Sequence, residues 1–370
     1  VPVYFSYSFT SKVPGDMVPA FFSKAMILFN CDYSEGAHAD ILRRMAETNM
    51  EQTAGYGEDP YCDQARKLIA GLCGRTDLDI HFLIGGTQTN FTVIAAALRP
   101  HQCVLCADTG HINVHESGAV EACGHKVSAI PSPDGKLTAR QIEEAWHAHW
   151  DDETREHMPQ PRMVYISQPT ELGTIYSRKE LQEISGVCRR RGLYLYMDGA
   201  RLGYGLCDED NDLDLPAIAS LCDAFYIGGT KVGALFGEAL VLRHEALKED
   251  FRYIAKQKGG RLAKGRLLGI QFLELFRDGL YFRLGAHADR LAVMLRDFCR
   301  SRGLALPFSS GTNQQFVTMP DSVLEELGRK YGFAYLRRED ETHSTVRFCT
   351  SWATREEDVR ELMADIARLC

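Results

Sequence analysis

Two stretches decide the fold: Leu193-Tyr194-Leu195-Tyr196-Met197-Asp198-Gly199-Ala200-Arg201 and Ala224-Phe225-Tyr226-Ile227-Gly228-Gly229-Thr230-Lys231-Val232-Gly233. Each is an apolar run of strand length that ends in glycine and charge. Neither alternates apolar with polar residues, so each reads as a strand covered on both faces, as in a parallel sheet flanked by helices. Leu215–Leu221 lies between them as a helix, and Arg178–Arg191, amphipathic and closed by Gly192, precedes them. Further out, Asp59–Cys73 places Ala65, Leu68, Ile69 and Leu72 on one helical face, with Gly74 as cap. Ile80–Ile84, Cys103–Cys106, His125–Ile130, Met163–Ser167 and Ala239–Leu242 read as more strands, with helices from Gly85-Gly86-Thr87 to Ala97 and over Ala139–Trp150. The expected fold class is α/β, a mainly parallel central sheet with helices on both faces.

After Phe251 the texture changes. A long helical stretch, 267–302 with glycine interruptions, leads to a strand at Gln315–Met319 and a helix at 322–331. A strand near Thr345–Cys349 and a final helix at Glu356–Leu369 follow. This predicts a smaller α+β C-terminal domain. The expected division is an N-terminal segment 1–30, a large cofactor-binding domain 31–275 and a small domain 276–370, with a helix running through the second boundary.

Composition narrows the function. The chain has 370 residues, 45% hydrophobic and 25% charged, with 42 basic against 50 acidic residues, a net charge of −8. That is globular, of two-domain length, and without the basic block a nucleic-acid partner needs. No apolar run approaches a membrane span, and no charged segment followed by an apolar stretch marks a secretory leader. Twelve dispersed cysteines suit reduced, buried thiols and a cytoplasmic location. The lone Cys103-x-x-Cys106 lies in an apolar strand with no second pair, so no metal site is expected.

In open α/β sheets ligands bind beyond the carboxyl ends of strands. Gly85-Gly86-Thr87-Gln88 joins a strand to a helix, and amides bared at such a helix start hold an anion. It is neither a Walker A loop nor G-x-G-x-x-G; alone it reads as a glycine turn. Asp198 at a strand end is commonly a helix cap; it also suits a protonated heterocyclic nitrogen. Lys231, among glycines in a strand-end loop, is placed where desolvation lowers an amine's pKa and makes it a nucleophile for a carbonyl. Asp108-Thr109-Gly110-His111-Ile112-Asn113, with His115 and Glu116, makes a polar site wall. Phosphate-binding turn, Asp-x-x-Arg and loop lysine in that order, with Lys231 33 residues past Asp198, form the layout expected for pyridoxal 5′-phosphate (PLP).

These residues resemble the threonine aldolase branch of the β-eliminating lyases, within the fold-type-I PLP-dependent enzymes. The resemblance rests on Tyr56-Gly57-Glu58-Asp59-Pro60, Gly86-Thr87-Gln88-Thr89-Asn90, and Gly110-His111 with Glu116-Ser117-Gly118-Ala119. It extends through Asp198-Gly199-Ala200-Arg201-Leu202 and Thr230-Lys231-Val232-Gly233-Ala234 to Val346-Arg347-Phe348. It implies that Lys231 bonds the cofactor, Asp198 pairs with its pyridine nitrogen, Gly86, Thr87 and Gln88 hold its phosphate, and His111 stacks on its ring. It places Arg201 near cofactor and substrate, Arg347 on the substrate carboxylate and Tyr56 facing the site. It also implies a homodimer or homotetramer with sites between subunits.

Three departures stand out. The family's Glu-Asn-Thr-His aligns with Ser167-Gln168-Pro169-Thr170, so Thr170 replaces a histidine assigned to the substrate's β-hydroxyl. The family's Ser-Asp-Thr becomes Cys31-Asp32-Tyr33. The basic glycine-rich stretch becomes Lys256 to Lys264, from which Lys264 is the candidate to reach a neighbouring subunit's phosphate. His38 is a candidate for the missing imidazole and equally a polar residue opening a helix near Asp40. The expected function is a PLP-dependent lyase on small amino acids: threonine-aldolase-like Cα–Cβ cleavage of a β-hydroxy amino acid to glycine and an aldehyde, or β-elimination. An aminotransferase or decarboxylase is the alternative, and a non-catalytic α/β binding protein the second.

Overall fold

The structure is a computed structural model that describes residues 26–370, so most of the expected segment 1–30 lies outside the described residues. Seven strands form the central sheet: β1 (Asp79–Leu83), β2 (Gln102–Ala107), β3 (Lys126–Ile130), β4 (Gln160–Ser167), β5 (Tyr194–Asp198), β6 (Ala224–Gly228) and β7 (Glu238–Leu242). Their order is β1-β7-β6-β5-β4-β2-β3. Neighbours from β6 to β3 run parallel, whereas β7 is antiparallel to both β6 and β1. Alternate residues of one strand enter different cores. Val104 and Cys106 of β2 pack on one face with Tyr165, Tyr196 and Tyr226; Leu105 and Ala107 pack on the other with Val164, Leu195 and Phe225. Both faces are therefore filled, which is why these strands carry no polar alternation.

The connecting helices start and stop where their chemistry dictates. Asp59 caps Pro60–Leu72 with Pro in the first turn; Ser177 and Glu180 form a reciprocal capping box on Arg178–Arg191, and Gly192 ends it at φ 65°. The expected 267–302 helix is two, Arg266–Arg277 and Leu280–Ser301, because Gly279 turns left-handed at φ 68°. The expected 322–331 helix is Asp321–Gly328, and Tyr331–Gly332 instead pairs as a short strand with Ile27–Leu28.

The last third builds a second, antiparallel sheet of β8 (Gln314–Pro320), β9 (Ala334–Arg338) and β10 (His343–Cys349), in the order β9-β10-β8. Its core joins Val317, Met319, Val346 and Phe348 to Leu291 and Leu295, and to Val359, Leu362 and Ile366 of the Glu356–Leu369 helix. β9 went unread in the sequence because its residues, Ala334-Tyr335-Leu336-Arg337-Arg338, lie on an exposed edge. Among the described residues no helix is long and apolar enough to cross a membrane.

Candidate active site

The parallel strands β4, β5 and β6 end at one edge, at Ser167, Asp198 and Gly228; antiparallel β7 begins there at Glu238, and β1 ends there at Leu83. Gly199 and Gly228 let the β5 and β6 ends close on each other: a Cβ on Gly199 would collide with Tyr226 O, and Gly228 N donates to Gly199 O at 2.9 Å.

Asp198 is 4% exposed and fully hydrogen-bonded. Oδ1 accepts from Tyr226 Oη at 2.5 Å and Ala200 N at 2.9 Å; Oδ2 accepts from Tyr165 Oη at 2.6 Å and Asn90 Nδ2 at 3.0 Å. Burial pushes its pKa up, but His111 and these donors outweigh it and hold the carboxyl below its ordinary value. Asp198 is thus a pre-formed buried anion, suited to a protonated ring nitrogen.

Asn90 extends the network: it receives Tyr196 Oη at 2.8 Å and donates also to Glu116 Oε1 at 2.7 Å. The same Glu116 oxygen lies 2.7 Å from His111 Nδ1, so the carboxylate fixes that ring's tautomer with the proton on Nδ1. Burial works to lower the His111 pKa, yet the Glu116 bond and the Asp198 charge raise it overall.

Lys231 sits in the turn after β6, its carbonyl bonded by Tyr204 Oη. Burial, then Arg201, lower its pKa; Asp32, Asp198 and Glu238 pull the other way. Arg201 does not present a free fork: Nε and Nη2 grip Asp32 at 2.7 and 3.1 Å, and Asn313 Nδ2 donates to the same carboxylate at 2.9 Å. Arg347 of β10 donates to Gln314 Oε1 and to Asn30 O, each at 3.0 Å, while its buried Nε has no partner.

The Gly86–Ala97 helix begins after β1 with Gly85 as cap and no side-chain cap bond, so the first-turn amides at Gly86, Thr87 and Gln88 have no intrahelical acceptor. Tyr226 Oη lies 3.1 Å from where a Cβ on Gly86 would stand, which sets this helix start beside Asp198. The Gln88 side chain is occupied elsewhere: Oε1 accepts from Ile84 N and Nε2 donates to Lys258 O, tying the helix to the 256–264 segment. Only its amide is left for an anion.

The remaining expected residues lie apart. His38 caps the Ala39–Glu47 helix, Nδ1 accepting from Asp40 N at 3.3 Å, while its amide donates to Gly233 O at 2.9 Å in the lysine turn. Thr170 is fully buried, its Oγ1 2.7 Å from Thr174 Oγ1. Tyr56, half-exposed with φ 58°, lies under Lys256 Nζ and beside Arg261; Lys264 is exposed. Neither Tyr56 nor Lys264 makes a hydrogen bond or ion pair with the Lys231 cluster within the subunit.

Several participants escaped the sequence. Tyr165 and Tyr226 read there as core aromatics. The available signal was that a tyrosine hydroxyl in a fully apolar strand must find a partner when buried. Glu238 had an acid's signal, a charge at the start of an apolar run.

A bare helix start, a buried aspartate and a lysine turn, in this order along the chain and at one edge of a sheet, define the aminotransferase-like class of PLP-dependent enzymes. Within it, the chain belongs to the β-eliminating lyase family, whose model matches residues 31–322. A low-specificity L-threonine aldolase of Pseudomonas sp. is 33% identical over 353 residues, spanning 91% of this chain and 96% of that protein. The solved threonine aldolase of Leishmania major is 45% identical with TM-score 0.90, covering 93% of this chain and 99% of that one. An aspartate aminotransferase of Thermus thermophilus, 14% identical with TM-score 0.68 over 93% of this chain and 92% of its own, shares the fold.

Proposed function

We propose that this chain is a PLP-dependent aldehyde-lyase that cleaves the Cα–Cβ bond of small β-hydroxy amino acids, yielding glycine and an aldehyde. The observation that carries the reading is Asp198, a buried carboxylate kept ionised by four donors, next to the lysine turn and a helix start with unclaimed amides. The residues fit PLP: Lys231 Nζ would hold its aldehyde carbon, Asp198 its ring nitrogen, His111 its ring face, and the amides of Gly86, Thr87 and Gln88 its phosphate. When bound, PLP supplies an electron sink for the pair released at the substrate Cα.

The chain's own groups do the rest. Arg347 Nε, buried and unpartnered, is the donor for the substrate carboxylate. Burial, and then Arg201, lower the Lys231 pKa, which favours a neutral Nζ able to accept or return a proton at Cα. With Nδ1–H held by Glu116, His111 offers Nε2 to the β-hydroxyl, whose proton must leave as the aldehyde carbonyl forms. Thr170 takes no part, its hydroxyl being spent on Thr174. That missing imidazole favours β-elimination as the second reading.

Incubating purified, PLP-supplemented enzyme with threonine should give glycine and acetaldehyde in equal amounts. Ammonia with 2-oxobutyrate instead would replace cleavage by elimination, and pyridoxamine phosphate accumulation would indicate transamination. Substituting Arg347→Lys, which keeps charge but loses the planar fork, should raise KM for threonine about 10- to 100-fold with kcat less affected. An unchanged KM would remove Arg347 from the carboxylate.

We also infer a homodimer or homotetramer in which Tyr56 and Lys264, remote from the cluster in their own subunit, face the partner's site. Active monomer in sedimentation at assay concentration would contradict it. The twelve cysteines, all unpaired and mostly buried, support a cytoplasmic setting.

A further inference from the structure

Glu238 opens β7, opposite Gly228 of β6 and Leu83 of β1, and is 3% exposed. Both carboxyl oxygens are used by the turn that carries the lysine. Thr230 Oγ1 donates to Oε1 at 2.8 Å and Gly229 N to Oε2 at 3.1 Å. The clamp is reinforced by Gly237 N, which donates to Thr230 Oγ1 at 2.9 Å. Gly229 N and Thr230 N also reach Gly237 O, at 3.0 and 3.1 Å. The two residues before Lys231 are thus fastened to the start of β7.

The titratable groups that face Glu238 are Lys231 from the turn, Asp198 and Tyr196 from β5, Tyr226 from β6, and Tyr281 from the Leu280–Ser301 helix. Of these, Lys231 alone can carry positive charge. Burial pushes the Glu238 carboxyl up to about 8, with Thr230, Lys231 and the Gly229 amide resisting and Asp198 adding to the rise.

We propose that Glu238 is a positioning residue for Lys231: its two carboxyl oxygens clamp the turn that carries the lysine, and its negative charge is one of those that favour the ammonium form of Nζ. The exchange balances by itself. A neutral acid and a neutral amine become a carboxylate and an ammonium by passage of one proton, with net charge unchanged. The inference deepens the proposed lyase site, yet the clamp belongs to the protein without its cofactor and is measurable there.

The test follows Lys231 labelling by fluorodinitrobenzene against pH in the full chain dialysed free of cofactor, read by peptide mass spectrometry, with exposed Lys179 as internal reference. Glu238→Gln keeps the length, removes the charge and leaves one accepting oxygen in place of two. Losing one of three carboxylates that raise the amine's pKa lowers it, so Lys231 should label about threefold faster at pH 8. Lys179 should be unchanged. Thr230→Val, which removes one donor favouring the carboxylate, should shift Lys231 labelling in the same direction by less. Wild-type labelling in Glu238→Gln overturns the proposal. Should Glu238→Gln fail to fold, Thr230→Val decides alone, and Lys231 labelling at the wild-type rate in it overturns the proposal. A labelling shift in the variants, together with a wild-type chain that shows no visible band on adding PLP, would refute the cofactor reading and leave the Glu238 assignment standing.

Discussion

Lys231→Ala is expected to abolish the borohydride-sensitive visible band of the PLP-loaded protein and to cut turnover by roughly 10³-fold or more, the scale of losing a covalent catalytic group. Among the described residues of the subunit, no neighbouring amine can substitute. Lys258 is engaged with Cys123 Sγ and Phe91, and Lys264 is exposed outside the cluster. Folding should survive the change, because the turn is held by Glu238, Thr230 and Tyr204 through atoms other than the Lys231 side chain. Circular dichroism and melting should therefore match wild type. A variant that keeps the band would place the reactive amine elsewhere.

Asp32→Ala should produce the largest loss of stability. It removes both hydrogen bonds to the Arg201 guanidinium, 9% exposed, and one to Asn313. Stranding one member of a buried pair costs about 3–5 kcal/mol, because the remaining charge keeps its desolvation penalty. The pH dependence carries a sign. Burial raises the Asp32 pKa, but Arg201, Lys231 and Asn313 bring it down from 3.8 to about 2. A depressed carboxyl contributes stability that is fully present above its unfolded pKa and lost as pH falls through the folded value. That contribution is on the order of 2 kcal/mol. Urea midpoints of wild type and variant should therefore differ most above pH 5 and converge between pH 4 and 2. A constant gap across that range would show that Asp32 is not the group responding. The same variant removes a charge that raises the Lys231 pKa, so its amine should also become neutral at lower pH.

What the sequence disclosed follows from what each residue does locally. The strands of the parallel sheet were legible because double-sided burial writes an uninterrupted apolar run, and the capped helices because Ser177, Gly192, Asp59 and Pro60 act on their own backbone. Lys231 and Asp198 were legible because a strand end fixes where they point. Hidden from the sequence were the relations between distant segments. Asp32 meets Arg201 across 169 residues, and Asn90 meets Asp198 across 108. No spacing rule connects such pairs. The reversed direction of β7 was equally silent, since an apolar strand reads the same either way. Only the left-handed Gly233 and Gly237, at φ 90° and 121°, betray the hairpin that turns it back.

That hairpin sets two site residues on one short stretch of chain. Parallel strands deliver site residues from their ends, each separated from the next by a whole crossover, so most of the site is scattered over the gene. β7 delivers Glu238 from its beginning, a few positions after Lys231. Lys231 and Glu238 therefore ride on one short turn, so a change at Gly229, Thr230 or Gly237 disturbs both at once, whereas the other site residues answer to separate crossovers.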